Sequence, residues 1–324
     1  MKESTADLLA EIEKTIEGLN YPSEADYYPL RSFFWETKEK GELTTERLLL
    51  SSGFLTPATL QEFIDFVATE THWNGEPRYD FLGDFRQKSL EEIKQIAEAY
   101  KGLLGFLERN FHEIKIYLVR NIDKFSFSVH DIYDISDIQD PKYSAQAAFY
   151  VILGKTNDGM WIGISPDMDC SGLYEDKEMM IEDNPVVTNE VFEFKQELKI
   201  FLQNLEMPAA DFGAWKRINS FLLEISSSRH LCVYKLLKAI RFIGLFEAAA
   251  FCDHIGNPEL LGSDQEASFK KSEKQYRHLD NLLREKLTNL QEYIIGGDVV
   301  FHTYYIGKTA DGNWLGVQTI SIWT

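Results

Sequence analysis

Apolar residues recur along this chain with two alternating periods. Leu8, Ile12, Ile16 and Leu19 share one helical face, and Ser4 with Asp7 has the spacing of a capping box at its start. A second stripe, Leu90, Ile93, Ala97, Tyr100, Leu104 and Leu107, is opened by Ser89 and Glu92. A third, Tyr276, Leu279, Leu283, Leu287 and Leu290, predicts a helix beginning near Ser272. After each of the last two stripes the pattern changes to aromatic and β-branched runs, AAFYVIL at 147–153 and VVFHTYYI at 299–306. Each run is closed by Asp-Gly and followed by another apolar stretch, which predicts a β-hairpin. The more uniformly apolar segment 229–252 is read either as a buried helix or as part of a surface joining two domains.

The two hairpins are copies. A shift of 153 residues lays GKTNDGMWIG, 154–163, over GKTADGNWLG, 307–316, with seven of ten positions identical. Each copy also opens with a helix that runs into a proline, EIEKTIEGLNYP at 11–22 and QELKIFLQNLEMP at 196–208. From that proline to the hairpin the first copy spans 132 residues and the second 99, so an insertion of roughly thirty residues is expected in the first, at 122–146. Phe125, Phe127 and Val129 alternate there with polar neighbours, as a strand would. The acidic, turn-rich stretch 167–189 reads as a linker. The expected organisation is a first domain over 1–166, the linker over 167–189 and a divergent second domain over 190–324, all α+β.

Length and charge narrow the function. A chain of 324 residues suggests two domains, and 44% hydrophobic content suffices for two cores. A net charge of −19 argues against direct contact with nucleic acid or an anionic membrane and suits a basic protein partner. The N-terminal twenty residues carry too many charges for a signal peptide, and no run of 18 apolar residues occurs, so neither export nor a membrane span is expected. Three cysteines, Cys170, Cys232 and Cys252, form no close pair, which fits a reducing, cytoplasmic setting.

Catalytic chemistry finds no footing in the spacing. None of the seven histidines sits in H-E-x-x-H, and Cys252 and His254 flank one Asp with no second pair of ligands. Asp167 and Asp169 look like an acidic metal corner but lie in the linker, where solvated acids are the simpler reading. Lys155-Thr156 and Lys308-Thr309 look like the end of a phosphate-binding loop, yet they follow a strand and precede a turn with no helix behind it. No G-x-S-x-G is present. The expectation is a binding protein with no cofactor, not an enzyme.

The opening helix, LNYPSEADYYPLRSFFWE at 19–36, the stretch TETHW at 69–73 and the closing GKT-DG-W-G hairpin together resemble the nuclease A inhibitor family. The resemblance covers nearly all of the first copy apart from the insertion, and the second copy from about Ser268 onward. It implies two tandem α-β-α sandwich domains that bind a non-specific DNA/RNA endonuclease of the ββα-metal type and block its active site. It implies further that a terminal threonine, Thr324 here, reaches the nuclease's Mg²⁺ through its carboxylate, a hard oxygen ligand that mimics a phosphate oxygen. Trp323 stands beside it. A glutamate after the first helix, Glu24, is implied to hydrogen-bond next to the metal, and Trp73 falls on a family contact position.

The implied site is divided between the copies. The first has Glu24 and Trp73 but is continued by the linker, whereas the second has Thr324 but Ala209 and Ala210 where the glutamate is expected. Three outcomes stay open: the second copy inhibits with a weakened constellation, the copies combine on one partner, or the fold has been kept as an interaction module for a partner that is not a nuclease.

Overall fold

A computed structural model describes residues 4–22, 27–68, 89–120, 148–168, 170, 179, 181–203, 205–211, 214–248, 263–297 and 300–322. The expected insertion at 122–146 lies outside them. The chain forms two compact units, and both are discontinuous in sequence: 1–44, 172–181 and 242–324 make the first, and 45–171 with 182–241 the second.

The first unit is built on an antiparallel sheet ordered β11-β12-β13-β14-β3, where β3 is Arg31–Trp35, β11 Ile243–Glu247, β12 Thr288–Gly297, β13 Val300–Lys308 and β14 Trp314–Ile322. Helix α1, Thr5–Ile16, carries the expected capping box and buries Leu8, Ile12 and Ile16. It packs with helix α8, Ser263–Lys286, over Tyr305, Leu315 and Val317 of the sheet. Helix α8 starts nine residues before Ser272, because the polar stretch from Ser263 onward is made of good helix formers ahead of the apolar stripe. A short hairpin, β1 (Asn20–Pro22) with β2 (Tyr27–Pro29), lies against β14. Helix α2, Thr37–Lys40, completes the described helices of this unit.

The second unit has the sheet order β10-β7-β6-β5-β4, with β8 joined to β6 and β9 to β8. Here β4 is Leu55–Ala58, β5 Glu113–Arg120, β6 Ala148–Lys155, β7 Trp161–Pro166, β8 Met207–Asp211, β9 Ala214–Ile218 and β10 Phe221–Ser226. Helices α4 (Leu60–Ala68), α5 (Leu90–Asn110) and α6 (Asn189–Leu202) bury Phe63, Tyr100, Leu107 and Leu198 against Ile116, Ile152 and Ile162. Helices α3 (Thr45–Ser52) and α7 (Arg229–Ala239) pack together, and α7 covers the other face, where a side chain on Gly163 would strike Leu236 and Cys232. This unit is therefore an α-β-α sandwich. The apolar segment 229–252 resolves into the buried helix α7, followed by the edge strand β11.

The compact units do not follow the expected partition at 166 and 190. Strand β3 of the first copy pairs with β14 of the second over five residues, Arg31↔Gln318 to Trp35↔Trp314. Strand β10 of the second copy pairs with β7 of the first over six, Phe221↔Pro166 to Ser226↔Trp161. Each hairpin thus completes its sheet with a strand from the other copy. The stretch 167–189 is also fastened where it is described: Asp167 N–H donates to Ser220 O at 2.9 Å, and Asp183 accepts from Ser226 Oγ at 2.6 Å and pairs with Lys235 Nζ at 2.7 Å.

The repeated motif has the same structure in both units. Thr156 and Thr309 are buried, and their N–H groups donate at 2.8 Å to Met160 O and Asn313 O. Gly159 and Gly312 sit at φ +89° and +90°, a conformation other residues rarely adopt. A Cβ on Gly154 would lie 1.9 Å from the Phe111 ring, and one on Gly307 2.8 Å from Leu287 Cβ, so glycine is required where the preceding helix end lies on the strand. Asp311 accepts from Thr309 and from Thr5 Oγ1 at 2.6 Å, at the start of α1. Asp158 accepts from Thr156 and from Thr188 Oγ1 at 3.2 Å, which caps α6. These hydroxyls, Thr156 and Thr309 foremost, hold both carboxyls below the ordinary carboxylate range. Each turn thus ties down the opening helix of the opposite copy, and Lys155-Thr156 and Lys308-Thr309 are turn residues.

Candidate functional site

In the first unit, the end of the sheet away from this turn gathers the elements that lead into Glu24 and Thr324. Leaving the turn, β14 pairs with β3 as far as Gln318 and with β13 as far as Ile322. Beyond Gln318 its neighbour is the β1–β2 hairpin: Thr319 Oγ1 donates to Pro29 O at 3.4 Å, and β14 packs against both β1 and β2. Leu30 N–H donates to Leu19 O at 3.1 Å, closing the base of that hairpin. Gln275 of α8 donates to Thr15 O at 2.7 Å and Glu17 O at 3.1 Å, satisfying carbonyls at the end of α1. The Tyr276 hydroxyl donates to Asn20 O at the start of β1. The hairpin is held by a helix end, a strand and a buried phenol.

Beneath it lies a buried polar cluster. Glu292, 3% exposed, is the direct cross-strand partner of Tyr305, 2% exposed. Burial, reinforced by the Glu292 charge, raises both Tyr305 and Tyr21 well above the ordinary phenol value, so both stay protonated. The corresponding cross-strand pair in the second unit is Ile116 and Ile152, both apolar and buried. Sequence reasoning did not find this cluster. Its signal was available: the shift of 153 residues sets Tyr305 against Ile152.

Of the expected site residues, Glu24, Trp73, Trp323 and Thr324 all lie outside the described residues. Their described neighbours define two neighbourhoods. Pro22 and Tyr27, which flank 23–26, and Ile322, which precedes Trp323, belong to the first unit; α4 and α5, which flank 69–88, belong to the second. The second unit has a different buried acid. Glu46 accepts from the Tyr117 hydroxyl at 2.6 Å and lies 2.7 Å from Arg229 Nε, while the Arg229 guanidinium rests 5.7 Å from the Trp161 ring centre. Among the described residues no three His, Cys, Asp or Glu side chains gather as a metal-ligand set, and no helix is long and apolar enough to cross a membrane.

These features define a class: an α+β protein whose sheets carry helices, with a short hairpin set beside the far end of the closing strand. The model of the nuclease A inhibitor-like protein family matches residues 6–130 and 246–324, and the chain belongs to that family. The match is interrupted over 131–245, in keeping with a two-part arrangement. No curated protein matches the chain.

Proposed function

We propose that the protein is a non-enzymatic, cytoplasmic inhibitor of a non-specific endonuclease of the ββα-metal type. The segment after β1 and the end of β14 enter the active site; the Thr324 carboxylate caps the catalytic Mg²⁺, Glu24 hydrogen-bonds beside it, and Trp323 supplies apolar contact. One observation carries this reading. The exchange of strands between copies brings the hairpin of the first copy and β14 of the second into one unit, where the hairpin packs against β14, so a constellation divided in sequence has its framework in one unit. The net charge of −19 favours encounter with a cleft built to bind polyanions.

The test compares a chain ending at Thr324 with one extended by several residues, each titrated against such a nuclease. Metal capping requires the unextended chain to block activity and the extended one to lose most of its affinity; equal inhibition by both refutes it. The second reading, an interaction module for another protein, is favoured by the exposed Val186, Phe192, Ile200 and Phe201 along and before α6. It predicts no nuclease inhibition and binding that is indifferent to the extension.

A further inference from the structure

The second unit repeats the architecture of the proposed tip and closes it, and we infer that each chain engages a single nuclease, through the first unit alone. This rests on the proposed function. In the first unit β14 runs nine residues, and its last four, 319–322, pair with Thr303 to Val300 of β13. The shift of 153 residues that superposes the repeated motif sets Pro166 against Thr319, Asp167 against Ile320 and Cys170 against Trp323. Strand β7 ends at Pro166, which has no N–H to continue a ladder, and its pairing with β6 stops at Ile152↔Ile164. The place beside the start of β6 is taken by β8, which pairs there through Ala148↔Ala210. Ala210 is the position at which the second copy lacks the glutamate, so the hairpin that would present that acid is drawn into the sheet instead.

The chain leaving β7 is fastened as well. Asp167 N–H donates to Ser220 O at 2.9 Å, and Cys170 N–H to Ile240 O at 2.9 Å. Met168 and Cys170 are 7% and 1% exposed. Where it is described this segment is fastened, and Ser171, opposite Thr324, is joined to Gly172 and offers no carboxylate. Releasing it would break two backbone hydrogen bonds and expose two buried side chains. The second unit then serves as a scaffold of the same fold without the tip.

The experiment titrates the full chain, ending at Thr324, into a ββα-metal nuclease by calorimetry, with native mass spectrometry of the complex. One nuclease per chain is expected, with activity fully blocked at one equivalent. A chain extended past Thr324, shown by circular dichroism to keep its fold, should lose most of its affinity, since no second site remains to take over. Two nucleases per chain overturn the inference while leaving nuclease inhibition standing. No binding by the unextended chain overturns both.

Discussion

Residues 190–324, the second domain expected from the repeat, should not fold when produced alone. The first unit draws Leu8, Ile12, Ile16, Leu19, Tyr21 and Leu30 into its core from the other copy, each less than a tenth exposed. Fully burying a large apolar side chain is worth about 1.5–3 kcal/mol, so these six contribute roughly 9–18 kcal/mol of transfer free energy. Domains are stable by only about 5–15 kcal/mol, so the loss is comparable with the whole margin. The fragment also loses five ladder pairs from β3, leaving β14 as a raw edge, and the β10 it carries has no β7 to join. Production of 190–324 alone should give aggregated or non-cooperatively melting material, whereas co-production with 1–189 should recover a soluble complex by size exclusion. A cooperative thermal transition with native-like helix content in 190–324 alone would refute the interleaved pairing.

Asp311→Asn should destabilise by about 0.5–1.5 kcal/mol, the worth of an ordinary hydrogen bond, because the turn is solvent-accessible. The folded Asp158 and Asp311 carboxyls titrate below their unfolded value of about 3.9, so their contribution is complete above that pH and fades as pH falls through the folded values; the gap between wild type and Asp311→Asn in urea melts should close below about pH 4. Asp183→Ala should cost about 1.5–3 kcal/mol, since its buried carboxylate, held far below the ordinary range by Lys235, Ser226 and Ser227, anchors the chain to β10 and α7; an unchanged melt would remove that anchor from the account. Gly154→Ala should destabilise by about 1–3 kcal/mol through overlap with the Phe111 ring, and the double variant with Phe111→Ala should recover part of the loss.

The sequence made the elements legible because their signals are local. Ser4 with Asp7 and Ser89 with Glu92 form the capping boxes their spacing predicts, and both Asp-Gly hairpins lie where the motif puts them. Partner choice was not legible, because β3 and β10 are both short apolar strands and nothing in either spells out which hairpin it will join. The repeat itself argued for the wrong unit, since two similar stretches in series look like two domains in series. The motif's glycines, threonines and aspartates are accounted for by the turn and the helix start it holds, at the opposite end of β14 from the proposed tip.

Pairing across the copies has a consequence that a pair of independent sandwiches would not have. On the proposed reading, two separate domains, one without the glutamate and one without the terminal threonine, would carry two defective sites. With β3 joined to β14, the β1–β2 hairpin that leads into Glu24 and the strand that leads to Thr324 lie in one compact unit, and the departures Ala209, Ala210 and Pro166 collect in the other. On that reading one unit is released from keeping a tip, and its strand ends are free to close on each other. Such closure is what Asp167 with Ser220 and Cys170 with Ile240 accomplish. The first unit carries the complementary investment: a buried Glu292 against Tyr305 beneath the hairpin, where the second is content with two isoleucines. A buried acid costs stability unless it is fully hydrogen-bonded, so its place under the hairpin makes sense as a device that fixes the hairpin's position. If the proposed function holds, Glu292→Gln should weaken nuclease inhibition by more than the accompanying fall in melting temperature explains, and an effect on stability alone would assign the cluster to the core.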